Sequence, residues 1–104
     1  MPYEVRRDLR VDKDLLALPV PVRDAFWRVI RGLRRDPFAP GLGYAVDELR
    51  RTEERYRAAW TAHFLGNRYR LLYKVDGNLV VIYGVGVRPG FYRKLDRLGN
   101  SRPA

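Results

Sequence analysis

Apolar and polar positions alternate with period two at the start of the chain, take up a helical period, and return to period two after about residue 54. In YEVRRDL (3–9), Tyr3, Val5 and Leu9 fall on one side of an extended segment and Glu4, Arg6 and Asp8 on the other, which predicts a strand. Asp12 is the expected cap of a short helix, DKDLLAL, that Pro19 and Pro21 interrupt. The next segment, VRDAFWRVIRGLRRD (22–36), places Val22, Phe26, Val29, Ile30 and Leu33 on one stripe, the pattern of an amphipathic helix. Asp36-Pro37 ends it, because the residue before proline avoids the helical region. PFAPGLGYA (37–45) reads as a proline- and glycine-rich loop.

In RYRAAWTAHF (55–64), Tyr56, Ala58, Trp60, Ala62 and Phe64 face one way and Arg57, Ala59, Thr61 and His63 the other, predicting a half-buried strand. LGN turns the chain. Tyr69, Leu71, Tyr73 and Val75 then alternate with Arg68, Arg70, Leu72 and Lys74 in a second strand of the same kind. DGN (76–78) suits a two-residue hairpin turn, and LVVIYGVGV (79–87) follows as an almost wholly apolar strand, expected at a central position covered on both faces. GFYRKLDRL (90–98) carries a short helical stripe of Phe91, Leu95 and Leu98. The expected fold is α+β: a small antiparallel sheet with an N-terminal helical hairpin packed on one face and a short C-terminal helix. Residues 1–98 make a single domain and 99–104 a frayed tail.

Composition narrows the chemistry. Cysteine is absent and His63 is the single histidine, so no metal centre or other cofactor is expected. Charges occupy the N-terminal positions where a signal peptide has its apolar run, and no apolar stretch approaches membrane-spanning length; the expectation is a cytoplasmic, soluble protein without membrane contact. The net charge is +9, and residues 55–97 hold nine basic groups against Asp76 and Asp96. An excess of this kind favours a polyanionic partner, nucleic acid or an acidic protein.

The alternation puts Arg70 and Lys74 opposite the buried face of their strand. Arg57, Thr61 and His63 of the preceding strand share that side, Arg88 reaches toward it from the end of the last strand, and Tyr92 follows one helical turn later. A basic surface bearing a phenol and an imidazole suits metal-independent RNA cleavage, in which the 2′-OH attacks the adjacent phosphorus. Arginine forks bind two phosphate oxygens and stay protonated at any working pH. The general base is open at this level among His63, Glu53, Glu54 and a tyrosine of depressed pKa. Trp27, beside the helix stripe, reads as a flanking core residue and not as a base-stacking platform.

At YRLLYKVDGNLVVIYGVGVRPGFYRKL the chain resembles the RelE/ParE superfamily of bacterial type II toxins. The likeness extends over the N-terminal strand, the helical hairpin ending in IRGLRRDP, the YRLLYKV strand, the apolar strand ending in glycine, one residue and arginine, and the closing YRKL. It implies a compact fold similar to microbial ribonucleases and, for the RelE branch, a toxin that enters the ribosomal A site and cuts mRNA to a 2′,3′-cyclic phosphate. It also implies a cognate antitoxin that wraps the toxin; facing a +9 chain, that partner is expected to be acidic and encoded next to it. By this resemblance Arg70, Arg88 and Tyr92 correspond to catalytic residues. Arg57 falls where the branch has a first catalytic lysine, and Ala59 departs from the second. Relatives with histidine or glutamate as base keep His63 and Glu54 as candidates, and Arg68, Lys74, Arg93 and Lys94 are the expected RNA-contacting charges. The competing implication is the ParE branch, which inhibits DNA gyrase without the ribonuclease residues, or an inactive RNA- or protein-binding member of the fold.

Overall fold

The computed structural model describes residues 2–49, 57–88 and 91. Among them run β1 (Glu4–Arg7), α1 (Leu9–Leu16), α2 (Val20–Arg35), β2 (Tyr44–Glu48), β3 (Ala59–Phe64), β4 (Tyr69–Asp76) and β5 (Leu79–Val87). The five strands form one sheet in the order β1-β5-β4-β3-β2. The expected α+β architecture is therefore present, with one topological difference: the sheet is antiparallel except at one edge, where β1 pairs parallel to β5. The two helices carry the chain from β1 at one edge to β2 at the other, and β3 and β4 bring it back to β5 beside β1.

Local chemistry accounts for most element boundaries. The α1 cap is Asp8, not Asp12: the Asp8 carboxylate accepts the Arg10 N–H at 2.9 Å, while Asp12 lies in the first turn and accepts from Arg7 Nε at 2.9 Å. Moving the cap four residues earlier turns Leu9 out to solvent, away from the side of Tyr3 and Val5. α2 carries proline in its first turn and ends at Asp36, whose backbone is extended before Pro37; the Asp36 carboxylate then accepts the Phe38 N–H. Its stripe of Val22, Phe26, Val29, Ile30 and Leu33 is buried. Trp27, expected as a flanking core residue, is instead exposed, edge-on to Phe26 and beneath the Arg7 guanidinium.

The stripe packs on one face of the sheet against Ala62, Phe64, Leu71, Tyr73, Val80, Ile82 and Val85. The buried side expected for 69–75 is thus the helix side. Tyr73 is fully buried in this core, and its hydroxyl donates to the Pro37 carbonyl at 2.5 Å. Burial raises its pKa, so the phenol stays a donor. Tyr73→Phe leaves that carbonyl without its donor and is expected to cost about 1–3 kcal/mol, readable as a lower urea midpoint at unchanged slope.

Two segments differ from the sequence expectation. Residues 44–48 form edge strand β2, whereas 37–45 read as loop. Tyr44 lies against Gly32 and Gly41, where a Cβ at either glycine would overlap its ring, so the glycines admit a side chain that starts a strand. β3 begins at Ala59 instead of residue 55, because Ala58 has φ 59°, outside extended geometry. The β3–β4 turn holds Leu65, Gly66 and Asn67 at positive φ. At the β4–β5 hairpin Gly77 has φ 59° in a two-residue turn, matching the DGN expectation. In β5, Tyr83 is an extra residue between Leu72↔Gly84 and Tyr73↔Ile82. This bulge resets the alternation, so that Val80 and Ile82 before it and Val85 after it all face the helices. The expected C-terminal helix lies, beyond Phe91, outside the described residues.

Candidate active site

The sheet face away from the helices has its own small apolar floor: Ala59 of β3, Leu72 of β4 and Phe91, with Tyr83 and Leu49 packed against it. Arg70 pairs in register with His63 on one side and with Gly86 on the other. Gly86 leaves room there, since a Cβ would come within 3.2 Å of Phe91. β2, the strand that the composition of 37–45 concealed, brings Asp47 into register with Thr61.

These placements converge on one ring nitrogen. Arg70 Nη1 lies 2.7 Å from His63 Nε2, Thr61 Oγ1 lies 3.0 Å from the same nitrogen, and Asp47 Oδ2 is 3.9 Å away. A guanidinium only donates, so Nε2 accepts, and the neutral ring carries its proton on Nδ1. Thr61, 2% exposed, turns its hydroxyl proton to the Asp47 carbonyl at 3.5 Å. Arg70 also donates from Nη2 to Asn67 Oδ1 at 3.3 Å, and its Nε is buried without a partner among the described residues. Among the described residues the side-chain partners of Arg70 are His63 and Asn67, both neutral acceptors.

Burial first, then the Arg70 charge, lower the His63 pKa; Arg88 adds to the lowering and Asp47 opposes it. The ring is therefore neutral at physiological pH. Folding favours that form, so its contribution to stability is complete above the unfolded value near 6.5 and is lost as pH falls through the lower folded value.

The other expected site residues are distributed as follows. Arg88 is exposed just after β5, its N–H donating to the Arg68 carbonyl at 2.7 Å and its carbonyl accepting from Phe91 N at 3.2 Å. Its charge adds to the lowering of the His63 pKa. Arg68 is exposed at the mouth of the β3–β4 turn. Lys74 shares the Arg70 face, but at the far end, with its ammonium 5.6 Å from the Tyr83 ring. Arg57 is exposed in the turn before β3, also at the far end from His63, and the fold does not bring it to the His63–Arg70 pair. Tyr92, Arg93, Lys94, Glu53 and Glu54 lie outside the described residues. Asp47 is the residue that sequence reasoning missed; the alternation Tyr44, Val46, Glu48 against Ala45, Asp47 is the signal that points to it. A shallow depression lined by Gly32, Arg35, Pro40 and Tyr44 involves none of these groups. Among the described residues no three potential ligands cluster to hold a metal, and no helix is long and apolar enough to cross a membrane.

Among solved structures, the chain is similar to one from the RelBE2 toxin–antitoxin complex of Mycobacterium tuberculosis, at 30% identity and a TM-score of 0.62, over 85% of this chain and all of that one. The chain belongs to the RelE-like toxin superfamily. The same fold occurs in the archaeal RelE–RelB complex from Pyrococcus horikoshii OT3 (TM-score 0.64, 23% identity, 85% of this chain and 97% of that one). It occurs again in the isolated Escherichia coli RelE toxin (TM-score 0.61, 19% identity, 92% and 98%). Neither a family model nor a curated protein sequence matches the chain. In this RelE-like domain, then, the face away from the helices carries a cation and a buried hydroxyl, each within hydrogen-bonding reach of one nitrogen of a neutral imidazole.

Proposed function

We propose that this RelE-like chain is the toxin of a type II toxin–antitoxin pair and acts as a ribosome-dependent endoribonuclease. The observation that carries the reading is the contact of Arg70 with the unprotonated Nε2 of His63: a guanidinium of the kind that binds phosphate and an imidazole able to take a proton occupy one surface. In the proposed reaction Nε2 takes the proton of an RNA 2′-OH, whose oxygen bonds to the adjacent phosphorus. The bond from phosphorus to the 5′-oxygen breaks, leaving a 2′,3′-cyclic phosphate and a 5′-hydroxyl. Arg70 and Arg88 stabilise the charge on the non-bridging oxygens, and Tyr92, at the family's position for the closing-helix tyrosine, gives the leaving oxygen its proton. Arg68, Lys74, Arg93 and Lys94 extend the basic surface along the RNA, and no metal ion or cofactor takes part. The partner that restrains it is an acidic antitoxin lying across this face or replacing the segment after Phe91, consistent with the +9 charge.

The test is a translating extract in which the 5′ ends of a reporter mRNA are mapped, with a ribosome-free reaction beside it. Cuts within the A-site codon that require ribosomes are expected, and Arg88→Ala is expected to reduce them on the order of 100-fold or more without unfolding the protein. Intact mRNA with folded wild type would reject the nuclease, and inhibition in a gyrase supercoiling assay would then support the ParE-like activity in its place.

A further inference from the structure

A ring nitrogen offers one in-plane hydrogen-bonding site, a lone pair when neutral or an N–H when protonated. His63 Nε2 nevertheless has two side chains at bonding distance, Arg70 Nη1 at 2.7 Å and Thr61 Oγ1 at 3.0 Å. Arg70 can engage only the lone pair. The Thr61 oxygen, with its own proton toward the Asp47 carbonyl, can accept from an N–H. We propose that these are alternative partners: Arg70 caps Nε2 while the ring is neutral, Thr61 receives the N–H once the ring is protonated, and an anion that binds Arg70 drives the exchange.

The remaining groups around the ring fit this assignment. From β2, the Asp47 carboxylate at 3.9 Å favours the protonated state. From beyond β5, Arg88 disfavours it, and from β4 Arg70 does so as long as it stays on the ring. In the β3–β4 turn, Asn67 is a neutral tether for the other arm of Arg70, at 3.3 Å. Among the described residues the terminal nitrogens of Arg70 meet only the neutral acceptors His63 and Asn67, which an anionic phosphate oxygen outcompetes. Phosphate capture and base release become one event: the free site holds its lone pair capped, and an anion on Arg70 uncovers it while neutralising the charge that makes the ring a weaker base. Thr61 is then a positioning residue that steadies the imidazolium. This deepens the nuclease reading and rests on it for its meaning, but its physical content is measurable without RNA.

His63 is the chain's only histidine, so its ring ¹⁵N signals in labelled protein are unambiguous. Sulfate, which does not titrate near neutrality, stands in for the phosphodiester at constant ionic strength. At pH 8, where the ring is neutral, sulfate is expected to move the Nε2 signal toward that of an unbonded imine nitrogen in wild type and to leave it in place in Arg70→Ala. A general electrostatic effect of the anion would act on both proteins alike. Without sulfate, Arg70→Ala is expected to raise the His63 pKa and Thr61→Val to lower it, with Thr61→Ser restoring the wild-type value. An Nε2 signal that stays put in wild type across the titration overturns the release. Shifts of the same sign in Arg70→Ala and Thr61→Val, with both folded, overturn the exchange of partners. Mobile Nε2 with intact mRNA would reject the nuclease and keep the switch; fixed Nε2 with cleaved mRNA would do the reverse.

Discussion

Arg70→Ala is expected to lower the rate of ribosome-dependent mRNA cleavage on the order of 100- to 1,000-fold, the usual cost of removing one preorganised donor from developing transition-state charge. Two effects oppose each other in this variant. Losing the guanidinium removes a cation whose terminal nitrogens meet only the neutral acceptors His63 and Asn67 among the described residues. It also uncovers His63 Nε2 and lifts one cause of its lowered pKa, which makes the ring a better base. The gain is the smaller of the two. Brønsted behaviour gives back less than about tenfold for each unit of basicity, and only part of the shift comes from Arg70, since burial is its first cause. Stability changes little: the variant loses hydrogen bonds to His63 and Asn67, about 1 kcal/mol, and also removes a buried Nε that has no partner among the described residues. A midpoint of thermal unfolding within about 4–8 °C of wild type is therefore expected. Arg70→Lys keeps the charge without the fork and should fall between the two. Single-turnover cleavage on stalled ribosomes measures the rate, and wild-type activity in folded Arg70→Ala would remove Arg70 from the chemistry.

Phe26→Ala is expected to act through the fold alone. Phe26 is fully buried at the centre of the α2 stripe, and removing its ring opens a cavity between the helix layer and the sheet, costing about 3–5 kcal/mol. Domains of this size have roughly 5–15 kcal/mol in total, so the variant has lost a large part of its stability. The urea midpoint should fall with little change in slope, and cleavage per folded molecule should match wild type. A loss below about 1 kcal/mol would mean that α2 does not pack on the sheet as described. The two variants separate the layers of the molecule: one should lose chemistry with the fold intact, the other fold with the chemistry intact.

Much of this architecture was legible in the order of residues, because the deciding interactions are local. The α2 stripe, the helix stop at Asp36-Pro37, the alternation of β4 and the DGN turn each depend on neighbours within a few positions, and each lies where the sequence places it. The same alternation put Thr61, His63 and Arg70 on one face before any pairing was known. β2 is not legible in the sequence because glycine and proline punctuation outweighs a five-residue alternation, and only the packing of Tyr44 against Gly32 and Gly41 makes that stretch a strand. With β2 went Asp47. Likewise, nothing local announces that β1 pairs parallel to β5, or that one extra residue at Tyr83 keeps Val85 on the helix side.

The sequence by itself determined the elements, their faces and the cationic, cysteine-free character of the surface, since periodicity and charge are properties of the chain. Tertiary structure alone decided that His63 stands across from Arg70 instead of beside Arg57, that its proton sits on Nδ1, and that Thr61 and Asp47 complete the group. Those facts depend on strand register, and a shift of one residue would send each of these side chains to the opposite face. Register is fixed by contacts between positions far apart in the chain, where a single sequence carries no local signal.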